Sequence, residues 1–424
     1  MNRPNIILIV ADDLGYGDVG CYGNTVNATP HIDALADGGM KFTDFHSNGP
    51  VCSPTRAALL TGRYQQRAGI ESALGEDEQG LSSSELTVST CLQNAGYATG
   101  MFGKWHLGMS LEEGPNRHGF QQFIGHRHGA LDYRSHVTKY GAVDWWQNEE
   151  LCNEEGYCTE LITDHAVRFI EEQQRSPFFL FVSHSAIHFP WMAPEDPAHR
   201  RPGVRYEDLS RLGPHAPEEV GRVVRKMIES LDDSVGRIMG TVRNLGLEQE
   251  TFVFFTSDNG GIRKYAGGFN EISSNGPFRD GKGSVYEGGH RVPAIAYWPG
   301  TFAPGTTTSE ATLTMDLFPT CLSLAGVDSP NDLHLDGMDL RSVMLEEMPL
   351  PERSLFWRLG RKRAMRKAEW KLCAHGRERE LYNLSEDRSE TEDLSRANPK
   401  ILEALEADLS HWEQEVGQYT AVYR

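Results

Sequence analysis

The stretch Asn5-Ile6-Ile7-Leu8-Ile9-Val10-Ala11-Asp12-Asp13 is an apolar run of strand length that ends on two adjacent carboxylates. Its apolar residues do not alternate with polar ones, so the strand must be covered on both faces, as in a buried parallel sheet. Groups just beyond the C-terminal end of such a strand lie where open α/β sheets bind their ligands. The rest of the chain repeats the pattern. Pro30 introduces a short helix over Thr29 to Gly38, and a helix around Val88 to Ala95 leads into a strand from Tyr97 to Phe102. Leu161, Ala166, Phe169 and Ile170 give Cys158 to Glu172 helical spacing; Pro177 stops it, and Phe178 to Val182 follows as another buried strand. Glu218 to Leu245 is the strongest helix, with Val223, Met227, Leu231, Val235, Ile238 and Val242 on one face. Gly246 ends it before a strand from Thr251 to Thr256, which runs into Ser257, Asp258 and Asn259. This alternation predicts an α/β fold: an open, mostly parallel sheet with helices on both faces.

The last part of the chain reads differently. Leu355 to Arg358, Ala364 to Cys373 and Glu380 to Leu384 are short strands joined by tight turns, and an amphipathic helix runs from about Lys400 to Val416. We therefore expect two domains: a large one over 1–335 that carries the chemistry, and a small C-terminal α+β domain over 336–424 with an antiparallel sheet and a helix.

With 424 residues, 39% hydrophobic and 24% charged, the chain has the balance of a globular protein. A formal net charge of -19 argues against nucleic acid and anionic membranes as partners. A net-acidic protein that acts on anions must gather its positive charge in the site itself. No apolar run approaches the ~20 residues of a membrane span. The run Ile6 to Val10 is too short for a signal peptide and leads straight into Asp12 and Asp13. As written, the chain is expected in the cytoplasm, or in the periplasm or outside the cell if a leader has been removed. The seven cysteines, Cys21, Cys52, Cys91, Cys152, Cys158, Cys321 and Cys373, do not describe a disulfide scaffold. Cys152 and Cys158 flank a short polar loop and could pair in an oxidising compartment.

Two strand ends are rich in oxygen donors. Asp12 and Asp13 repel each other unless a hard cation neutralises them, and Asp258-Asn259-Gly260-Gly261 adds a carboxylate and an amide oxygen on a loop that glycines let bend. A third cluster supplies a nucleophile. Cys52-Ser53-Pro54-Thr55-Arg56-Ala57-Ala58-Leu59-Leu60-Thr61-Gly62-Arg63 sets a cysteine at a helix start, where free N–H groups and the helix dipole favour anions. Arg56 can hold a charged group there.

That run resembles the signature of the type I sulfatases, members of the alkaline phosphatase superfamily, in which cysteine, proline and arginine alternate and Leu-Thr-Gly-Arg follows. The resemblance extends over the chain. Pro4-Asn5-Ile6 to Gly15-Tyr16-Gly17-Asp18 is similar to the family's opening strand and metal-binding turn, and Gly103-Lys104-Trp105-His106-Leu107-Gly108 to its Gly-Lys-Trp-His block. His188 with Pro190 resembles its His-x-Pro element, and Asp280-Gly281-Lys282-Gly283-Ser284-Val285-Tyr286-Glu287-Gly288-Gly289 its glycine-rich lysine loop. Arg366 to Leu372 and Glu380 to Leu384 resemble its C-terminal domain.

The resemblance implies an alkaline-phosphatase-like α/β/α sandwich and hydrolysis of sulfate esters. It implies that a formylglycine-generating enzyme oxidises Cys52 to formylglycine, whose hydrate is the nucleophile. Asp12, Asp13, Asp258 and Asn259 are implied Ca²⁺ ligands. Arg56 and Lys104 should position the nucleophile, and Lys104 and Lys282 should hold sulfate oxygens. His106 should take the proton that releases sulfate, and His188 should protonate the leaving alcohol. Ser135 and His136 stand about where a further sulfate contact is expected. The inventory suits a sulfate monoester, whose charged oxygens repel nucleophiles until cations offset them. A sugar alcohol, a poor leaving group, calls for a general acid. His126, Arg127, His128, Asp132, Tyr133 and His136, with Trp145, Trp146 and Trp191, could line a saccharide subsite. The alternatives are a phosphomonoester or phosphodiester hydrolase of the same fold, and a non-catalytic anion-binding relative.

A thiol lacks the second hydroxyl that the formylglycine hydrate uses to expel sulfate. Peptide mass spectrometry of any active preparation should therefore show the Cys52 peptide about 18 Da lighter than the thiol form. Full activity in a sample that is entirely thiol refutes the assignment.

Overall fold

The strand Asn5–Ala11 is buried along its whole length and stands near the middle of a ten-stranded sheet in a computed structural model. The structure describes residues 3–330, 333–346 and 348–417. Five parallel strands form the centre, in the spatial order Thr251–Ser257, Asn5–Ala11, Phe178–Ser183, Ala98–Lys104 and Gln122–His126. Antiparallel pairing begins only at the flanks. Ala294–Tyr297 lies against Thr251–Ser257, and Trp146–Gln147 against Gln122–His126.

The unbroken apolar run of the central strand serves two cores at once. Ile7, Ile9 and Ala11 join a cluster with Ile162, Phe169, Met227, Leu231 and Ile238, which come from the helices Cys158–Gln173 and Pro217–Asn244. Ile6, Leu8 and Val10 point to the other face and pack with Leu59, Leu92 and Phe318 from the helices Cys52–Thr61, Val88–Asn94 and Leu317–Ala325. The alternation of side chains along a strand thus builds both layers, and the expected α/β/α sandwich is found. Register aligns the strand ends. Ala11 pairs with Ser257, Val10 and Gly103 both pair with Ser183, and Lys104 pairs with His126. The segments that follow these strands therefore start together at the C-terminal end of the parallel centre.

The C-terminal sheet has four antiparallel strands, Ser354–Leu359, Lys362–Lys367, Trp370–His375 and Glu378–Asn383, with the helix Pro399–Val416 packed on it. The sequence reading of Ala364 to Cys373 as one strand is corrected. Lys367 pairs with Trp370 across a two-residue turn in which Ala368 takes φ 51°. Without glycine, asparagine or proline the turn carries none of the usual sequence signals. Cys152 and Cys158 are both free, and Cys158 is buried with its Sγ 3.7 Å from Ser185 Oγ.

A buried ionic knot joins this sheet to the large one. Lys371 Nζ lies 2.8 Å from both Glu287 Oε1 and Glu390 Oε1, and Arg291 Nη1 is 3.0 Å from Glu287 Oε2. Arg366 pairs with Asp44 at 2.8 Å, and His290 stacks on Trp357 with centroids 4.0 Å apart. Removing one member of a buried ion pair costs about 3–5 kcal/mol, because its partner stays buried and uncompensated. Lys371→Met should lower unfolding free energy in urea by that order. Lys371→Met/Glu390→Gln, which removes one charge of each sign and leaves Glu287 to Arg291, should recover much of it. Equal stability of Lys371→Met and the parent would show the knot to be slack.

Candidate active site

The aligned strand ends bring the two oxygen-rich pairs together. Asp12 and Asp13 follow Asn5–Ala11, and Asp258 and Asn259 follow its neighbour Thr251–Ser257. Asp13 N donates to Asp258 Oδ1 at 3.3 Å, and Asn259 Nδ2 donates to Asp13 Oδ1 at 2.8 Å. Asp13 holds φ 65° and His106 φ 56°, left-handed values uncommon outside glycine, which side-chain packing must sustain. A Cβ on Gly260 would overlap the Gly288 carbonyl oxygen, so only glycine lets the Asn259 loop and the lysine loop meet.

Three cations answer these carboxylates. Lys104, last in its strand, reaches Asp12 Oδ2 at 2.5 Å, and Lys282 reaches Asp13 Oδ1 at 2.5 Å. Arg56, one turn into the helix Cys52–Thr61, donates through Nε and Nη2 to Asp258 Oδ2 at 3.0 and 2.8 Å. Its Nη1 donates to Lys104 O at 2.9 Å and to Ser183 Oγ at 2.5 Å. Ser183 was not singled out in the sequence, although it directly follows a predicted strand. Cys52 begins the helix and is buried; ligand atoms of Asp12, Cys52 and Asp258 all lie within 4.8 Å of one another. Burial raises the Cys52 thiol against the pull of Lys104 and Lys282. Burial also raises Asp12 and Asp258, and each feels a neighbouring carboxylate as well, Asp13 and Asp12 respectively. Burial alone would lower Lys282, but Asp13 and then Cys52, Asp12 and Asp258 carry it upward.

Both predicted catalytic histidines border the cluster. His188 Nε2 lies 3.8 Å from Asp13 Oδ2, while Nδ1 sits 2.6 Å from Phe189 O. His106 Nε2 is 3.1 Å from Leu74 O and its Nδ1 is buried without a partner. A carbonyl only accepts, so these contacts fix the N–H on His188 Nδ1 and His106 Nε2 and leave the opposite nitrogens as acceptors. Burial holds both rings well below the usual histidine range, with Lys282 and Lys104 adding to it for His188 and Lys104 and His128 for His106. Gly129 packs against the His106 ring, where a Cβ would collide.

Ser135 and His136 are not brought into this cluster by any hydrogen bond or ion pair. Ser135 N donates to Asp132 Oδ1 at 2.8 Å, and the buried His136 stacks on Trp145 at 4.5 Å. The expected saccharide lining is corrected too, because Trp145 and Trp191 are 0% and 1% exposed and have no face to offer a sugar. Trp146 is half-buried under Arg127, 4.0 Å from its ring centre. The insert acts as a scaffold instead. Tyr133 Oη donates to Ser185 O and His188 O at 2.6 and 2.9 Å, and His126 Nε2 lies 2.6 Å from Ser185 Oγ. These contacts brace the turn that carries His188.

Residues 4–327 match the sulfatase family, and residues 278–415 match the C-terminal part of N-sulphoglucosamine sulphohydrolase. The N-acetylgalactosamine-6-sulfatase of Mus musculus is 38% identical over 379 residues, covering 84% of this chain and 69% of its own. Arylsulfatase A of Homo sapiens is 36% identical over 387 residues, covering 84% of this chain and 70% of its own. Among solved structures, Ps i-CgsB in complex with k-i-k-neocarrahexaose matches with a TM-score of 0.87 at 30% identity, over 98% of this chain and 94% of that one.

The donor set fits a hard divalent cation. Asp12 Oδ1, Asp13 Oδ2 and Asn259 Oδ1 are buried oxygens without a hydrogen-bond partner, a costly condition that a metal relieves. Carboxylate and amide oxygens are the ligands that Ca²⁺ and Mg²⁺ take. The ring nitrogens and carboxylate of His46, Glu287 and His290 also cluster, but Lys371 already stands among them, 3.2 Å from His290 Nε2. Ca²⁺ added to chelator-treated protein should raise its melting midpoint, with a stabilisation of about 2.7 kcal/mol at a concentration 100 times Kd. Asp12→Asn/Asp13→Asn should abolish the shift in scanning calorimetry. An unmoved midpoint in the parent with every divalent ion tried refutes the site.

Proposed function

We propose that this chain, which belongs to the sulfatase family, removes sulfate esters from carbohydrate with Cys52 as formylglycine and Ca²⁺ as counter-charge. Family membership makes it a sulfuric ester hydrolase. The observation that carries the fuller reading is the gathering, at the C-terminal end of the parallel strands, of Cys52, Arg56, Lys104, Lys282 and the partnerless oxygens of Asp12, Asp13 and Asn259. Relatives named for N-acetylgalactosamine-6-sulfate, and a neighbour solved with neocarrahexaose, support a saccharide substrate. Family membership favours sulfate over the phosphate esters considered as the alternative.

A thiol has no second hydroxyl through which a bound sulfate could be expelled, which supports the conversion of Cys52. Formylglycine, as its hydrate, supplies the attacking hydroxyl and a second hydroxyl through which sulfate departs. Its installation requires a maturation enzyme that oxidises Cys52. Asp12, Asp13, Asp258 and Asn259 would hold Ca²⁺, which would supply positive charge to offset that of the sulfate. Arg56, fixed by Asp258 and Ser183, holds the residue at position 52 in place. Lys104 and Lys282 turn toward the sulfate from Asp12 and Asp13, adding charge where the transition state becomes more negative. His106 Nδ1, an acceptor in the neutral ring, suits a proton-taking role. His188 must be an imidazolium to donate through Nε2, and a bound anionic ester favours that form against the burial that opposes it.

Among the described residues no helix is long and apolar enough to cross a membrane. The proposed division into a catalytic domain, 1–335, and a C-terminal domain, 336–424, is supported by the separate sheet that begins at Ser354. Leu340 and Met344 pack in the large-sheet core and favour a boundary nearer that strand.

The leaving group tests the assignment of His188. A sugar alkoxide needs a proton to depart, whereas nitrophenolate does not. His188→Ala should cut turnover of a sulfated sugar by about 10²–10⁴-fold and that of nitrophenyl sulfate far less. His106→Ala should slow both alike, because its step follows departure. Equal losses in His188→Ala would assign the ring to sulfate binding instead. Nitrophenyl phosphate turned over faster than nitrophenyl sulfate would overturn the sulfatase reading itself.

A further inference from the structure

The loop that brings Lys282 to the site leads to a second region of positive charge. Lys282 lines a pocket with Ile262, Arg263, Lys264 and Tyr286, and Arg263 and Lys264 also line a neighbouring cleft of about 1130 Å³. The opposite wall of that cleft is the start of the helix Pro217–Asn244, which contributes Arg222 and Arg225. Covalent geometry ties the two regions together. The chain leaving Asn259 runs through Arg263 into a hairpin of Lys264–Tyr265 and Phe269–Asn270, and Gly261 O accepts from Lys282 N at 3.2 Å.

Among the described residues, Arg222, Arg225, Arg263 and Lys264 are exposed and make no ion pair or side-chain hydrogen bond. Arg279, in the Lys282 pocket, is by contrast fully engaged. Its guanidinium lies 3.7 Å from the Tyr286 ring centre and donates to Tyr382 Oη and Glu390 O at 2.9 and 2.8 Å. The acids of the cleft are fewer. Glu218 and Glu271 are exposed, while Asp18 is buried and accepts from Gly15 N and Ser274 N at 2.9 and 2.8 Å. On a chain of net charge -19, the four cations of this cleft outnumber its three acids, Asp18, Glu218 and Glu271, and none of the four is committed to a partner. The volume also exceeds the usual range of small-ligand sites, about 300–1,000 Å³, so there is room for more than one sugar ring.

We propose that this cleft is a second anion subsite, which holds another sulfate group of the same glycan while the reacting ester lies at Cys52. The proposal rests on the carbohydrate-sulfatase reading and extends it, making the preferred substrate a multiply sulfated oligosaccharide that spans both regions. Arg263 and Lys264 face the passage between them, and Arg222 and Arg225 meet the distal sulfate.

A binding measurement tests the cleft apart from turnover. In a Cys52→Ala background, calorimetry with a hexasaccharide sulfated on several units should show affinity falling about tenfold in Arg222→Ala/Arg225→Ala, the order expected for two exposed ion pairs. In the converted enzyme, the ratio of kcat/KM for that hexasaccharide to kcat/KM for nitrophenyl sulfate should fall by a similar factor. Unchanged affinity overturns the subsite. So does an equal loss in Arg377→Ala/Arg396→Ala, which removes two cations elsewhere. A polyuronate hexasaccharide bound as tightly overturns the assignment to sulfate. Tight, cleft-dependent binding with no hydrolysis of any sulfate ester would leave the cleft standing and overturn the functional reading instead.

Discussion

Three carboxylates, Asp12, Asp13 and Asp258, are packed into one nearly dry space at the ends of two adjacent strands, and the surrounding structure answers that charge. Buried carboxylates are stable only when cations and hydrogen bonds replace the water they lose. Lys104, Lys282 and Arg56 each take one of them, from a strand end, a glycine-rich loop and a helix on separate parts of the chain. Those cations do not satisfy every oxygen, and the remainder is the set that suits a hard cation. Three cations against three carboxylates leave the centre formally neutral within a strongly acidic chain. Positive charge is concentrated where acids recruit it, and the -19 of the whole chain lies elsewhere.

The C-terminal sheet contributes to this centre without reaching it. Lys371, from the strand Trp370–His375, holds Glu287, which belongs to the segment running from Arg279 to Arg291. That segment carries Lys282, and Gly289 O accepts from Gly260 N at 2.9 Å beside Asn259. Gly283 N donates to Pro50 O at 2.8 Å, next to the turn before Cys52. The knot between the sheets therefore helps to hold the backbone of the lysine loop beside the acids. Precision in the site then comes from a held backbone and from cationic side chains each anchored on one carboxylate.

The insert after the Gly-Lys-Trp-His block shows how aromatic composition misleads. Tyr133, His136, Trp145 and Trp191 suggested a sugar platform, yet they are buried and brace the His188 turn and the core. A tryptophan buries a large apolar area wherever packing allows, and nothing in its neighbours along the chain shows which face stays open. On the proposed reading, recognition of a glycan beyond its reacting sulfate falls to other surfaces, among them the cleft lined by Arg222, Arg225, Arg263 and Lys264.

The sequence by itself determined the α/β architecture, the parallel centre of the sheet and the residues of the acidic cluster. These are legible because apolar period, strand length and the position of charged groups at strand ends are local properties. Helix limits at Cys158–Gln173 and Pro399–Val416 fell within a residue or so of expectation for the same reason. The tertiary structure alone decided the partners. Ser183 lies 127 residues from Arg56 along the chain, and Lys371 lies 84 from Glu287, separations at which no spacing rule operates. It also decided which face of each tryptophan is covered, that Ala368 turns a hairpin without glycine, and that the walls of the cationic cleft come from a helix and a hairpin brought together. Contacts of that kind depend on register and packing between distant segments, which one strand's pattern does not encode.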